Sequence, residues 1–342
     1  MQLTTIKLEK PYLIFFGDER ARMHAKTGLG IAFWAPDRCA GQMKFPECPV
    51  ESGLPNLSVA EALNAGIRTV IIGVAPTGGQ LRKRWLPPLL EFARAGVDIA
   101  SGLHSKLADI PELVQAARAG DARLIDVRVP PANLPCGSGR RRTGRRVLTV
   151  GTDCAVGKKY SALALHRELV NRNVSATFRA TGQTGIMIAG EGIPIDAVVA
   201  DFVAGAAETL SPDNESNHWD VIEGQGSLIH PSYSGVTLGL MHGSQPDALV
   251  LCHDANRKAI KDVGGHFPIP PLDEFIDIAL AAARVTNPEC TCAGISVNTS
   301  MLNSEDRAAC LASLRSRHRI PAVDPVATGI HKIADFLLER FP

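Results

Sequence analysis

The sequence predicts an α/β protein: an N-terminal Rossmann-like domain followed by a doubly wound, P-loop NTPase-like domain with a mainly parallel sheet. Three observations carry this expectation. Short β-branched runs alternate with amphipathic stretches along the chain, the pattern of parallel strands covered by helices. A glycine stands just past several helical stretches, where it accepts the left-handed backbone that other residues resist. The chain has 342 residues, 45% apolar and 21% charged, enough for two globular domains.

In the first half, Tyr12 to Phe16 reads as a strand, and Ser58 to Ala65 as a helix closed by Gly66. Thr69 to Val74 is a buried strand, Leu86 to Ala95 a helix with Gly96 as its stop, and Val97 to Ala100 a strand. Ile110 to Ala119 is helical up to Gly120, and Leu124 to Val127 closes the unit. Pro130-Pro131 and the stretch from Pro135 to Gly144 break this rhythm, because proline, glycine and clustered arginine cannot continue a helix or a central strand. The expected boundaries are residues 1–136 for the first domain, 137–146 for a basic linker and 147–342 for the second domain.

The second half restarts with the strand Val147 to Val150 and the helix Lys158 to Asn171. Ser175 to Arg179, Asp220 to Ile222, Ala248 to Cys252 and Ala293 to Val297 read as further strands. Asp273 to Arg284, Ser304 to Ser316 and Ile330 to Arg340 read as helices. Ligands of such a sheet bind at the carboxyl ends of its strands.

The net charge of +1 gives no global attraction for nucleic acid or an anionic membrane. Arg140-Arg141-Arg142 with Arg145-Arg146 lacks aromatic neighbours to stack bases, so it reads as a solvated linker. The eight cysteines include no Cys-x-x-Cys pair and fit reduced thiols. Met1 to Lys10 lacks a signal-peptide core, and no apolar run is long enough to span a bilayer. These features predict a cytoplasmic protein, a homo-oligomer acting on a small molecule, with no nucleic-acid or membrane partner and no metal.

Gly151-Thr152-Asp153-Cys154-Ala155-Val156-Gly157-Lys158 lies between a strand and a helix. That context and those glycines suit a phosphate loop, whose backbone N–H groups and helix dipole face an anion while Lys158 adds a full positive charge. Five residues separate the two glycines, and the spacing resembles the Gly-Thr-Asp-x-x-Val-Gly-Lys-Thr loop of dethiobiotin synthetase-like enzymes. Lys159 stands where the magnesium-binding hydroxyl of such loops belongs. Ser161 lies roughly 200 degrees further round the helix and cannot take its place. Within the loop, Cys154 is either a small residue filling the turn or a thiol activated by N–H groups.

Glu223, at the end of the strand in Asp220-Val221-Ile222-Glu223-Gly224-Gln225-Gly226-Ser227, is a candidate base or a turn-forming carboxylate. His230, seven residues on, is either catalytic or structural. Arg179-Ala180-Thr181-Gly182-Gln183-Thr184-Gly185 suits substrate contacts from Arg179, Thr181 and Gln183, or a flexible connection. Asp196 and Asp201 recur partly on one helix face, and one of them is a candidate to bind an amine. Asn298 follows a strand where related folds read adenine or ribose. In the first half, Gly73-Val74-Ala75-Pro76-Thr77-Gly78-Gly79 and Ser101-Gly102-Leu103-His104 are strand-end loops expected to shape a cleft. Neither carries the dinucleotide fingerprint.

Taken in order, Gly73 to Gly79, Ser101 to His104, Gly151 to Lys158, Asp220 to Leu228 and His230-Pro231 resemble a two-domain family. That family, long a domain of unknown function, includes bacterial D-glutamate N-acetyltransferase. The resemblance implies transfer of acetyl from acetyl-CoA to an amino acid in D-amino-acid breakdown. It further implies that the phosphate loop, with Lys158 and Lys159, holds the phosphates of coenzyme A without metal. Glu223 or His230 would take the amine proton, and Arg179 would clamp a carboxylate. Alternatives are a Mg-ATP-dependent kinase or ligase of the dethiobiotin synthetase type, and a nucleotide-binding module without turnover.

Overall fold

Tyr12-Leu13-Ile14-Phe15-Phe16 is entirely buried, as strands covered on both faces must be. It sits inside the first of two larger parallel sheets in the computed structural model, which describes residues 5–76 and 79–342. Thr77 and Gly78, within the first of the strand-end loops, lie outside the described residues. The chain divides into two units. One is the chain up to Pro131 together with Gly182–Ala197, and the other is Ala132–Thr181 with Val198–Pro342.

The first unit orders its strands Cys39–Lys44, Tyr12–Gly17, Thr69–Ile72, Asp98–Ser101, Leu124–Asp126 across a five-stranded sheet. All of these neighbours are parallel. The helix Val59–Asn64 starts at a capping box, in which Ser58 and Glu61 satisfy each other's backbone N–H groups. The helix Pro111–Gly120 corrects one expectation. It runs through Gly120, and the left-handed residue that ends it is Asp121 at φ 56°. Glycine is needed at 120 for another reason: a Cβ there would lie 2.1 Å from the Ala93 carbonyl oxygen of the neighbouring helix. The segment Gly182–Ala197 contributes the helix Gln183–Ala189 and a short strand, Glu191–Gly192, which pairs antiparallel with Ile6–Lys7.

The second unit has a six-stranded parallel sheet in the order Ala322–Val323, Thr291–Asn298, Ala248–Asp254, Arg145–Gly151, Trp219–Ile222, Ala176–Arg179. The first strand of this unit is thus central: the chain goes first to the edge strand Ala176–Arg179, returns to Trp219–Ile222 between them, and then builds the other side outward. That arrangement opens a crevice at the carboxyl end of Arg145–Gly151, where the loop expected to bind phosphate begins. The helix Lys158–Asn171 follows, burying Ala162, Leu165 and Leu169. Helices Val203–Leu210 and Ser234–Ser244 approach so closely that a Cβ at Gly243 would lie 2.1 Å from the Ala204 oxygen.

The basic stretch is solvated only in part: Arg140 and Arg141 are exposed as expected, and the next arginines are not. Arg142 and Arg146 are 6% and 3% exposed. Arg142 donates to the carbonyl oxygens of Glu208, Ser211 and Gly243. Arg146 donates to those of Arg142, Thr143, Gly144 and Pro212 and to Ser211 Oγ. Carbonyl groups left over at helix ends and turns need donors, and these guanidiniums supply them. Burial pushes Arg142 down to about 10. Asp196 and Asp201 share no helix either: they fall in separate short turns, Ile195–Ala197 and Ala200–Phe202, in different units. Among the described residues, no helix is long and apolar enough to cross a membrane.

Candidate active site

Several residues of the segment Gly151 to Lys158 have a definite structural task. Gly157 takes φ 105° with nothing near its missing side chain, so its glycine serves conformation. Gly151 serves space: a Cβ there would meet Val156 Cγ2 at 2.8 Å and Lys158 Nζ at 3.1 Å. Ala155 sits at φ 56°, a left-handed position that costs on the order of 1–3 kcal/mol outside glycine. Thr152 is 0% exposed, with Oγ1 2.9 Å from His253 Nδ1. Lys158 is buried and donates from Nζ to the Asp153 carbonyl oxygen at 2.8 Å, inside its own loop. Burial holds its ammonium below the ordinary lysine value, while Asp153 and Glu223 among others pull the opposite way.

Asp153 faces a segment that sequence reasoning missed. Its Oδ2 accepts from Arg257 Nη1 at 2.6 Å and from the Lys261 amide at 3.0 Å. Arg257 also donates to the Cys154 carbonyl oxygen at 3.1 Å, tying the loop to the chain beyond strand Ala248–Asp254. A cation three residues past the end of a strand, in Asp254-Ala255-Asn256-Arg257, was the available signal. Behind the loop, Ser161 Oγ bonds to Gly157 O at 3.0 Å and Ser296 Oγ at 2.7 Å, and accepts from Cys252 Sγ. It is thus committed away from the site, as its angular position required. Lys159 is half-buried, with Nζ 5.1 Å from the Tyr160 ring centroid.

The strand Trp219–Ile222 delivers Glu223 to the same loop. Gly224 has no room for a side chain, since a Cβ would lie 1.7 Å from Thr149 O and 3.1 Å from Lys158 Cδ. Its N–H donates to Thr149 Oγ1 at 2.9 Å, which fixes the strand end against the phosphate-loop strand. Glu223 is 3% exposed and accepts at Oε2 from the Thr181 N–H at 3.0 Å. Thr181 Oγ1 donates back to Glu223 O and receives Gln225 Nε2. His230 also comes to the loop: ligand-capable atoms of Asp153, Cys154 and His230 all lie within 4.8 Å of one another. Asp153 already carries Arg257, whose charge opposes a metal ion there. The activated-thiol alternative for Cys154 is corrected, because burial pushes the thiol up rather than down.

The remaining residues expected to contact substrate have these positions and partners within their own units. Arg179 turns to Asp220, with Nε 2.7 Å from Oδ1. Gln183 belongs to the first unit, where it accepts from Arg128. Asp201 is exposed in its short turn. Asn298 donates to Asp254 at 3.1 Å across adjacent strand ends. In the first unit the two strand-end loops do meet, His104 and Ser105 donating to the Gly79 oxygen at 3.1 Å each.

Known proteins give this arrangement its relatives. Residues 135–334 match the P-loop domain of DUF1611, described as a domain of unknown function, and residues 43–130 match its Rossmann-like domain. A D-glutamate N-acetyltransferase of Tritonibacter scottomollicae is 47% identical over 330 residues, covering 96% of this chain and 99% of that protein. One from a Pseudoalteromonas species is 44% identical over 328 residues, covering 96% and 98%. The crystal structure of a DUF1611 family protein from Anabaena variabilis superposes with a TM-score of 0.82 at 33% identity, covering 97% of this chain and all of the other. The chain therefore belongs to the two-domain DUF1611 family, whose members include the bacterial D-glutamate N-acetyltransferases.

Proposed function

We propose that this chain transfers the acetyl group of acetyl-CoA to the amino group of D-glutamate, with Gly151 to Lys158 holding the phosphates of coenzyme A. One observation carries the choice of cofactor. Lys159 replaces the hydroxyl that would ligate magnesium, and Ser161, the next hydroxyl along, is bonded into the core. A loop with two adjacent ammonium groups neutralises phosphates without a divalent ion, which suits a ligand that is held rather than cleaved.

Acyl transfer requires the substrate ammonium to release one proton before its nitrogen attacks the thioester, and the attacking amine to give up a second as the amide forms. Glu223 and His230 are the candidate acceptors, because both stand at the loop. The pantetheine arm is about as long as four extended residues, roughly 14 Å. It must therefore fold back over the loop for one molecule to place both its phosphates and its thioester there. Of the substrate contacts proposed at Arg179, Thr181, Gln183 and Asp201, the bonds to Glu223 and Gln225 favour Thr181 most directly. Arg179 can offer a carboxylate only the guanidinium edge that Asp220 does not hold.

The test is free-thiol release from acetyl-CoA, dependent on D-glutamate and unchanged by EDTA. Magnesium-dependent ADP release from ATP, with no thiol released, would instead favour a dethiobiotin synthetase-like kinase or ligase. Binding without either product would leave a nucleotide-binding module.

A further inference from the structure

The turn from Ser227 to His230 holds two groups able to donate a hydrogen bond, the Ser227 hydroxyl and the His230 ring. Ser227 is 0% exposed, and its Oγ meets no partner among the described residues. Such a buried hydroxyl is rare in native folds unless a ligand or water takes it. His230 is 3% exposed, and its ring is fixed twice. The Tyr233 ring lies 4.6 Å away between centroids, and the Ser232 N–H donates to His230 Nδ1 at 3.1 Å.

That second bond sets the tautomer. A ring nitrogen that accepts an amide proton carries none of its own, so the proton of the neutral ring sits on Nε2. Nε2 is then a donor. To act as a base, Nε2 would have to be bare, which places the proton on Nδ1, pointing it at the Ser232 N–H. Glu223 faces no such choice of tautomer, because a carboxylate has about four lone-pair sites on its two oxygens and the Thr181 N–H takes only one of them.

We propose that His230 Nε2–H and Ser227 Oγ–H form a donor pair for an oxygen of the bound ligand, and that Glu223 is the proton acceptor. The inference rests on the acetyl-transfer reading of the same site. In that reaction Glu223 takes a proton from the amine as its nitrogen bonds to the acetyl carbon. The carbonyl oxygen gains negative charge and is held by the donors. The carbon–sulfur bond then breaks, and the leaving thiolate takes the proton from Glu223 to give free thiol and amide. The oxygen served by the pair is either this one or a phosphate oxygen, and kinetics separates the two. Loss in kcat alone identifies the developing oxyanion; loss in KM for acetyl-CoA alone identifies a phosphate.

The experiment compares His230→Ala, His230→Gln and Ser227→Ala in thiol-release assays across pH. Glutamine presents an N–H donor near the position of Nε2 but cannot accept a proton at neutral pH. A donor role is expected to leave His230→Gln within about tenfold of wild type, while His230→Ala falls about 10²- to 10³-fold. The acid limb of the pH profile should survive in His230→Gln and vanish in Glu223→Gln. Equal inactivity of His230→Gln and His230→Ala, with loss of that limb in both, would overturn the proposal in favour of His230 as base. Ser227→Ala should lower turnover with no fall in melting temperature, and a lower melting temperature with intact kinetics would make its hydroxyl structural. If wild type itself releases no thiol from acetyl-CoA, the acetyl-transfer reading has failed. The same variants are then ranked by binding of inorganic pyrophosphate, where parity of His230→Ala and Ser227→Ala with wild type would overturn the donor pair.

Discussion

In the first unit the strand Tyr12–Gly17 runs into Asp18 and Glu19, whose carboxylates are closed off by Arg82 at 2.7 and 2.9 Å and by Trp85 Nε1 at 2.7 Å. In the second the strand Arg145–Gly151 runs into a loop that buries Lys158 against its own backbone and holds Ala155 in a left-handed turn. Both ends lie at the carboxyl side of a parallel sheet, where ligands are expected. Of these two ends, among the described residues, the second retains buried charge and a donor that the chain satisfies poorly by itself. Poor satisfaction is costly in a resting protein and useful in one that binds an anion, so the difference supports the second strand end as the proposed site.

Breaking that difference should have its largest effect at Lys158. Lys158→Met is expected to weaken CoA binding about a hundredfold, roughly 3 kcal/mol, when followed by calorimetry. The melting temperature should not fall, because the substitution replaces a buried cation with an apolar chain of similar length. Gly224→Ala attacks the frame instead. With Thr149 O 1.7 Å from the new Cβ, the strand end must shift, and the loss should be at least about 1–3 kcal/mol by denaturant unfolding.

The first unit should respond to acid. Burial raises Asp18 and Glu19, but hydrogen bonds and the Arg82 charge outweigh it, leaving both below their ordinary values of 3.8 and 4.5. Groups depressed in the fold contribute stability above those values and lose it as pH falls through the folded ones. Melting temperatures from pH 6 to pH 3 should therefore decline less steeply in Arg82→Ala than in wild type. Ser58→Ala should have the smallest effect, about 1 kcal/mol from the lost capping box and no change in ligand binding.

The phosphate loop was legible in the sequence because its glycines, lysine and flanking strand and helix lie next to one another. The helix Lys158–Asn171 has the bounds its apolar spacing predicts. Helices Val203–Leu210 and Ser234–Ser244 were not legible, because they are built from small residues and glycines that read as breakers. Those glycines serve contact: Gly239 faces Val203 and Gly243 faces Ala204, neither with space for a side chain. The strand Cys39–Lys44 hid behind Gly41, Gln42 and Lys44, which dilute its apolar signal. Arg142 and Arg146 read as solvated because local composition does not show which distant carbonyl groups they will meet. The bond from Arg257 to Asp153 spans 104 positions and has no local trace.

The central claim is that the loop holds coenzyme A without a metal ion. Parallel calorimetric titrations with acetyl-CoA, CoA and Mg-ATP, the first two in EDTA, test it most directly. Saturable binding of acetyl-CoA and CoA without metal is the expected result. Tight binding of Mg-ATP with no signal from either CoA species would contradict it.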